Sequence, residues 1–225
     1  MDLEPEVSIQ PGSDPFDEGL LSPRQAAVVV AHPDDEALWA GGLILSRPHY
    51  RWFIVALTRK SDLDRAPRFY SALEYLNAEG RLGDLDDGPD QTPLPEAVVQ
   101  EAILDLLEPH EFAFVLTHGP HGEYTRHRRH EEISAAVRRL WISGLISAQK
   151  LWMFAYEDGE GRYLPRETSG AHYRRRLSEE VWRKKYQLIT EIYGFSPYSW
   201  EARVTPQVEA FWCFDNSSHE NIATL

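Results

Sequence analysis

The chain has 225 residues, with 23 Lys and Arg against 36 Asp and Glu for a formal net charge of −13, and it is 42% hydrophobic, 12% aromatic and 26% charged. That balance excludes a nucleic-acid clamp and a binder of anionic membrane surfaces. The composition is that of a globular chain able to bury one sizeable core, and disorder and a disulfide-stapled scaffold are both excluded.

Residues 1–24 carry Asp2, Glu4, Glu6, Asp14, Asp17 and Glu18 against Arg24, with four prolines and no helical or strand period. They read as an acidic tail ahead of a domain over residues 25–214, with 215–225 as a C-terminal tail. No basic stretch leads into an apolar leader, and no apolar run is long enough to cross a bilayer, so a cytoplasmic protein is expected. Ala26 to Ala31 is a continuous apolar run of the kind that forms a parallel strand covered on both faces, and Phe53 to Thr58 and Phe112 to Thr117 resemble it as second and fourth strands. Between them Val98, Ala102 and Leu106 repeat every four residues. Ile133, Ala136, Val137, Leu140, Trp141 and Gly144 mark one face of a further helix. A strand at Lys150 to Ala155, a long helix near Ser178 to Tyr193 with Trp182, Tyr186, Ile189 and Tyr193 on one side, and a last strand near Val208 to Phe214 complete the order. The single cysteine, Cys213, stands in Phe211-Trp212-Cys213-Phe214 and reads as a small buried hydrophobe. The βαβα alternation predicts an α/β, single-domain, Rossmann-like fold: a mostly parallel sheet with helices on both faces and its ligand site beyond the carboxyl ends of the strands.

Two clusters carry chemistry. The first strand runs into His32-Pro33-Asp34-Asp35-Glu36, which delivers a histidine and adjacent carboxylates to the carboxyl edge of the sheet. The plain alternative is that Asp34 only caps the next helix. After the fourth strand, the segment from Thr117 to His130 holds His118, His121, His127 and His130. His127 and His130, three apart, project from one side of a helix start, so that one can ligate a metal while the other faces substrate. His118 and His121 read better as residues of a solvated loop. Together the clusters offer His, Asp and His with an open fourth position, the arrangement of a catalytic zinc site in a chain without cysteine ligands. Of the neighbouring Asp34 and Asp35, one can ligate while the other takes a proton. No GxGxxG follows the first strand, which disfavours a nucleotide-dependent oxidoreductase.

Ala31-His32-Pro33-Asp34-Asp35-Glu36 matches the AHPDDE signature, and His127-Arg128-Arg129-His130 the later HxxH, of the PIG-L/LmbE family of metal-dependent de-N-acetylases, which the chain resembles over about residues 25 to 160. The resemblance implies that His32, Asp35 and His130 bind zinc, or another divalent transition metal. It further implies that Asp34 is the general base and His127 the electrophilic or acid partner. It also places Arg65 and Tyr124 against substrate. Three positions depart from the family pattern. Arg128 and Arg129 replace the Pro-Asp often found inside HxxH, Tyr124 lies three and not two residues before His127, and Arg68 stands where an acid is common. A cation directed at His127 would lower its pKa.

The implied reaction is hydrolysis of an N-acetyl amide on a small-molecule amino sugar or glycoconjugate, releasing acetate. A different amide, such as a thiol conjugate, and a non-catalytic sugar-binding relative are the alternatives. Arg126, Arg128 and Arg129 could receive a phosphate or carboxylate on the substrate, or be satisfied by Glu131 and Glu132. Trp152, Tyr156, Tyr163, Trp182 and Trp200 are candidates for sugar stacking, although such rings are more often core. Arg174 to Arg176 and Arg183 to Lys185 read as the outer face of the last long helix. No nucleic-acid partner and no transmembrane segment are expected, and a homo-oligomer is compatible with the sequence.

Overall fold

A computed structural model describes residues 24–107, 111–124, 126–215 and 222. The apolar runs become the centre of a seven-stranded sheet: β1 (Gln25–Val30), β2 (Arg51–Ala56), β3 (Glu79–Leu82), β4 (Phe112–Thr117) and β5 (Ala148–Phe154). These five pair in parallel, in the order β3-β2-β1-β4-β5. Two further strands, β8 (Tyr173–Arg176) and β9 (Val208–Asp215), extend the β5 edge antiparallel, and β6 (Tyr156–Glu157) and β7 (Arg166–Glu167) form a separate small ribbon. The strand order reverses between β1 and β4, the switch point at which doubly wound sheets open a crevice.

Alternation along β1 divides the core into two layers. Ala26, Val28 and Val30 face the layer under α1 (Asp35–Leu45) and α2 (Arg65–Leu76), with α5 (Glu179–Gln187) packed on α1. Ala27, Val29 and Ala31 face α3 (Glu96–Leu107) and α4 (Arg128–Ile142). Helix α1 is buried from Asp35 to Ile44, on every side. It fits because Gly42 has no Cβ: one built there would stand 2.4 Å from Leu177 Cδ1 and 3.0 Å from Glu209 Oε1. That carboxylate accepts from the amides of Gly42 and Leu43 at 2.7 and 2.6 Å, and from Lys185 Nζ at 2.7 Å.

Several expectations shift. The buried row of α3 is Val99, Ile103 and Leu107, one residue on from the predicted row, and Val98 is exposed. Both rows repeat every four residues, so spacing alone could not choose between them. Gly144 lies beyond the end of α4 at φ +75°, a left-handed conformation suited to glycine, and does not extend the apolar face. Lys185 is fully buried against Glu209, while Arg174 to Arg176 lie in β8 and belong to no helix. The long helix after Ser178 is α5 followed by a π-helical turn, Leu188–Ile192. Helix α6 (Trp200–Val204) completes the described helices.

Apart from Arg24, the predicted N-terminal tail lies outside the described residues. Of the predicted C-terminal tail, Asp215 ends β9, and Ile222 is fully buried with its carbonyl accepting from Arg138 Nη1 at 3.2 Å. Among the described residues no helix is long and apolar enough to cross a membrane.

Candidate metal centre

The loop after β1 turns sharply because Asp34 adopts φ 120° and ψ −26°, a region that side-chain-bearing residues rarely occupy, at a cost of about 1–3 kcal/mol. The turn separates the neighbouring carboxylates. Asp35 folds back so that its Oδ2 accepts from the His32 amide at 2.8 Å and lies 3.1 Å from His32 Nδ1, whereas Asp34 joins the lining of an adjoining cavity. Glu36 accepts from the Asp34 amide at 3.1 Å and from the Tyr193 hydroxyl at 2.5 Å.

The loop after β4 brings in the histidines from α4. His130 Nε2 stands 3.2 Å from His32 Nδ1 and 3.4 Å from Asp35 Oδ2. With the 3.1 Å edge between His32 and Asp35, these atoms form a nearly equilateral triangle. A tetrahedral ion with bonds of about 2.0–2.2 Å separates its ligands by about 3.3–3.6 Å, so the donor set fits zinc. A supporting carboxylate fits as well. Glu123 Oε2 lies 2.7 Å from His130 Nδ1, which therefore carries the proton and leaves Nε2 free to ligate. Asp87 Oδ2 lies 3.3 Å from His32 Nε2, within ion-pair distance but without hydrogen-bond geometry.

His118 shares the neighbourhood, with Nε2 3.5 Å from Asp35 Oδ2. It is not a solvated loop residue as expected: it is fully buried, its Nε2 accepts the Ala31 amide at 2.9 Å, and its Nδ1 meets Glu123 at 3.0 Å. Both nitrogens have protein partners, and with Asp35 and His130 the residue forms a second buried group close enough to hold an ion. His121, by contrast, is exposed.

Charge is distributed to suit a cation. Burial opposes ionisation of Glu123, but His118 and His130 outweigh it and bring the carboxyl down to about 2. Burial likewise opposes protonation of His130, and Asp35 and Glu123 lift it to about 10, so without an ion Nε2 carries a proton that a bound metal would displace. Asp35 stays well below the usual carboxylate range because His130 and His118 overcome its burial. Asp34 behaves oppositely: burial and then the neighbouring Asp35 push it well above that range, tempered by Arg65, whose Nη1 is 3.6 Å from Asp34 Oδ2. His127 is lowered to about 3 by burial and then by His130 and His32. Its ring stacks on His130 at 4.5 Å and meets His32 edge-on at 4.4 Å, and its buried Nδ1 has no hydrogen-bond partner among the described residues.

A cavity of about 320 Å³ opens over this centre, lined by His32, Asp34, Asp35, Arg65, Tyr124 and His127 from the sequence-derived set, with His130 buried beneath. Arg126 and Arg129 do not line it. Arg126 is exposed at φ +44°. The Arg129 guanidinium is buried and donates to the carbonyls of Asp86 at 2.5 Å and Thr92 at 2.7 Å, and to Glu132. It ties the loop between β3 and α3 to α4 and does not reach the cavity. Trp200 lines the cavity and packs edge-on to Tyr124 at 4.7 Å, whereas Trp152 and Tyr156 are core. The sequence reading missed Arg59, Asp62, Asp87 and Glu201 in the lining. Asp87 was within reach, since Asp84 to Asp87 holds three acids after a strand end, but β3 is only four residues long and gives almost no periodic signal.

No protein-family model and no curated protein matches the chain. Solved structures do. The N,N'-diacetylchitobiose deacetylase of Pyrococcus horikoshii superposes with a TM-score of 0.68 at 13% identity, over 87% of this chain and 85% of that one. The chain has the fold of a known deacetylase. A teicoplanin deacetylase, solved in a zinc-inhibited form, gives a TM-score of 0.61 at 13% identity over 85% and 98%. The same fold serves other chemistry: the 4-carboxy-2-hydroxymuconate hydratase of Pseudomonas putida gives 0.56 at 17% identity over 85% and 95%. What distinguishes this chain must therefore be sought in its own side chains.

Proposed function

We propose that the protein is a metal-dependent hydrolase that removes the acetyl group from an N-acetylated amino sugar or glycoconjugate, with His32, Asp35 and His130 holding zinc. The donor triangle of 3.1, 3.2 and 3.4 Å beside Asp34, which lines the adjoining cavity, carries this reading, and the fold shared with two deacetylases supports it. Bound zinc would polarise the amide carbonyl and acidify water.

This chain's residues supply the rest. Asp34, its affinity for a proton raised by burial and by Asp35, takes a proton from the attacking water and passes it to the leaving amine. Arg65 keeps the carboxylate turned toward the cavity. His127, lowered to about 3, is neutral at pH 7, so it acts as a hydrogen-bond donor to the developing oxyanion and carries no charge of its own. This narrows the role implied by the family resemblance, which left it electrophile or acid. Asp62 and Glu201 offer acceptors for sugar hydroxyls, Trp200 an aromatic edge, and the cavity volume suits one sugar unit.

The test is acetate release from N-acetylglucosamine glycosides, lipid-linked and nucleotide-linked acetamido sugars with added Zn²⁺. The wild type should release acetate from at least one class, and Asp34→Asn should keep the metal while losing at least about 100-fold in rate. An Asp34→Asn protein that stays fully active, or His32→Ala and His130→Ala proteins with unchanged metal content, would overturn the assignment.

A further inference from the structure

The peptide of Asp34 depends on support from the far end of the chain. At φ 120° its backbone is held by Glu36 Oε2, which accepts its amide at 3.1 Å. Glu36 is fully buried, and its other oxygen accepts the Tyr193 hydroxyl at 2.5 Å. Tyr193 follows directly on the π-helical turn, and its own amide closes onto Leu188 O at 2.9 Å. The wider π turn rotates Tyr193 round the helix axis relative to an α-helical continuation, and π-bulges recur at functional sites. Arg68 secures the turn from α2: its Nη1 donates to Ile192 O at 3.4 Å and fills the space beside Gly194, at φ +74°, where a Cβ would lie 2.1 Å away. One residue further, the Phe195 ring lies 4.4 Å beneath the Arg65 guanidinium that approaches the Asp34 carboxylate.

Resting on the reading of Asp34 as the base, we infer that the segment from Leu188 to Phe195 is a buttress for that residue, with Tyr193 positioning its peptide through Glu36 and Phe195 positioning its carboxylate through Arg65. Neither side chain touches the reacting atoms, so both are positioning residues. The departure from the family pattern at Arg68 belongs to the same device, since an acid at that position could not donate to the Ile192 carbonyl.

The experiment uses the zinc-loaded full chain and its Tyr193→Phe and Phe195→Leu variants. Amide hydrogen exchange at Asp34 is followed by NMR, with Val28 and Val30 of β1 as internal references for global opening. Tyr193→Phe should speed exchange at Asp34 about tenfold or more relative to the references. Its kcat for acetate release should fall about 10- to 100-fold, with KM and bound zinc within about twofold. Phe195→Leu should lower kcat while leaving Asp34 exchange unchanged. Unaltered Asp34 exchange in Tyr193→Phe, or a loss of kcat that merely tracks loss of zinc, would overturn the inference. If the wild type releases acetate from none of the sugars, the functional reading fails separately, and the exchange measurement still decides whether the buttress exists.

Discussion

Replacing Arg129 by methionine removes a buried guanidinium while nearly preserving side-chain volume. The residue makes three hydrogen bonds, to Asp86 O, Thr92 O and Glu132. Bonds from a charged donor contribute about 1.5–3 kcal/mol each, which bounds the loss at about 4.5–9 kcal/mol. The true loss is smaller because the loop lies at the surface: the Asp86 side chain is 62% exposed, so its carbonyl can take up water once the guanidinium is gone. About 3 kcal/mol is expected, and for a domain of this size that lowers Tm by about 6–12 °C. Function should suffer as well. Asp87 lies between the two tethered carbonyls and lines the cavity, so a loosened loop should raise KM about tenfold. Lysine should not rescue the variant, because a single ammonium cannot span acceptors arranged for a fork. Calorimetry and steady-state acetate release measure both effects. A Tm change below about 2 °C together with an unchanged KM would refute the view of Arg129 as the anchor of this loop.

In the metal-free protein, Glu123 contributes stability that is fully present above its unfolded pKa of about 4.5 and is lost as pH falls toward its folded value of about 2, a contribution of about 3 kcal/mol. Glu123→Gln should therefore flatten urea-derived stability between pH 4.5 and 2; an unchanged acid slope would contradict the pairing with His118 and His130. In the holoprotein the same substitution should weaken zinc about 10- to 100-fold by chelator competition, because His130 loses the partner that fixes its ring, and an unchanged affinity would contradict that role. Lys185→Met leaves Glu209 buried with only the α1 amides of Gly42 and Leu43 as partners and should cost about 3–5 kcal/mol in denaturant unfolding. A loss under about 1 kcal/mol would show that the pair is not needed.

The apolar runs at Ala26 to Ala31 and Phe112 to Thr117 by themselves determined two strands covered on both faces, because a strand buried on both faces must be apolar throughout; that the two are neighbours came from the structure. The spacing of His32, Asp34, Asp35, His127 and His130 put the chemistry into the loops that follow them. Local patterns reach no further than their own element. Which row of α3 turns inward depended on the sheet beneath it. Whether His118 was loop or core depended on Glu123 and the Ala31 amide, and whether Lys185 was surface or interior depended on Glu209 in β9. For Arg129 the sequence left open a substrate anion or pairing with Glu131 and Glu132; it pairs with Glu132, and the carbonyls of Asp86 and Thr92 some forty residues earlier, invisible to its own helix, complete the set. Only the closed tertiary structure brings Asp87 to His32 and Tyr193 to Glu36, since each contact joins segments whose separation in sequence carries no periodic signal.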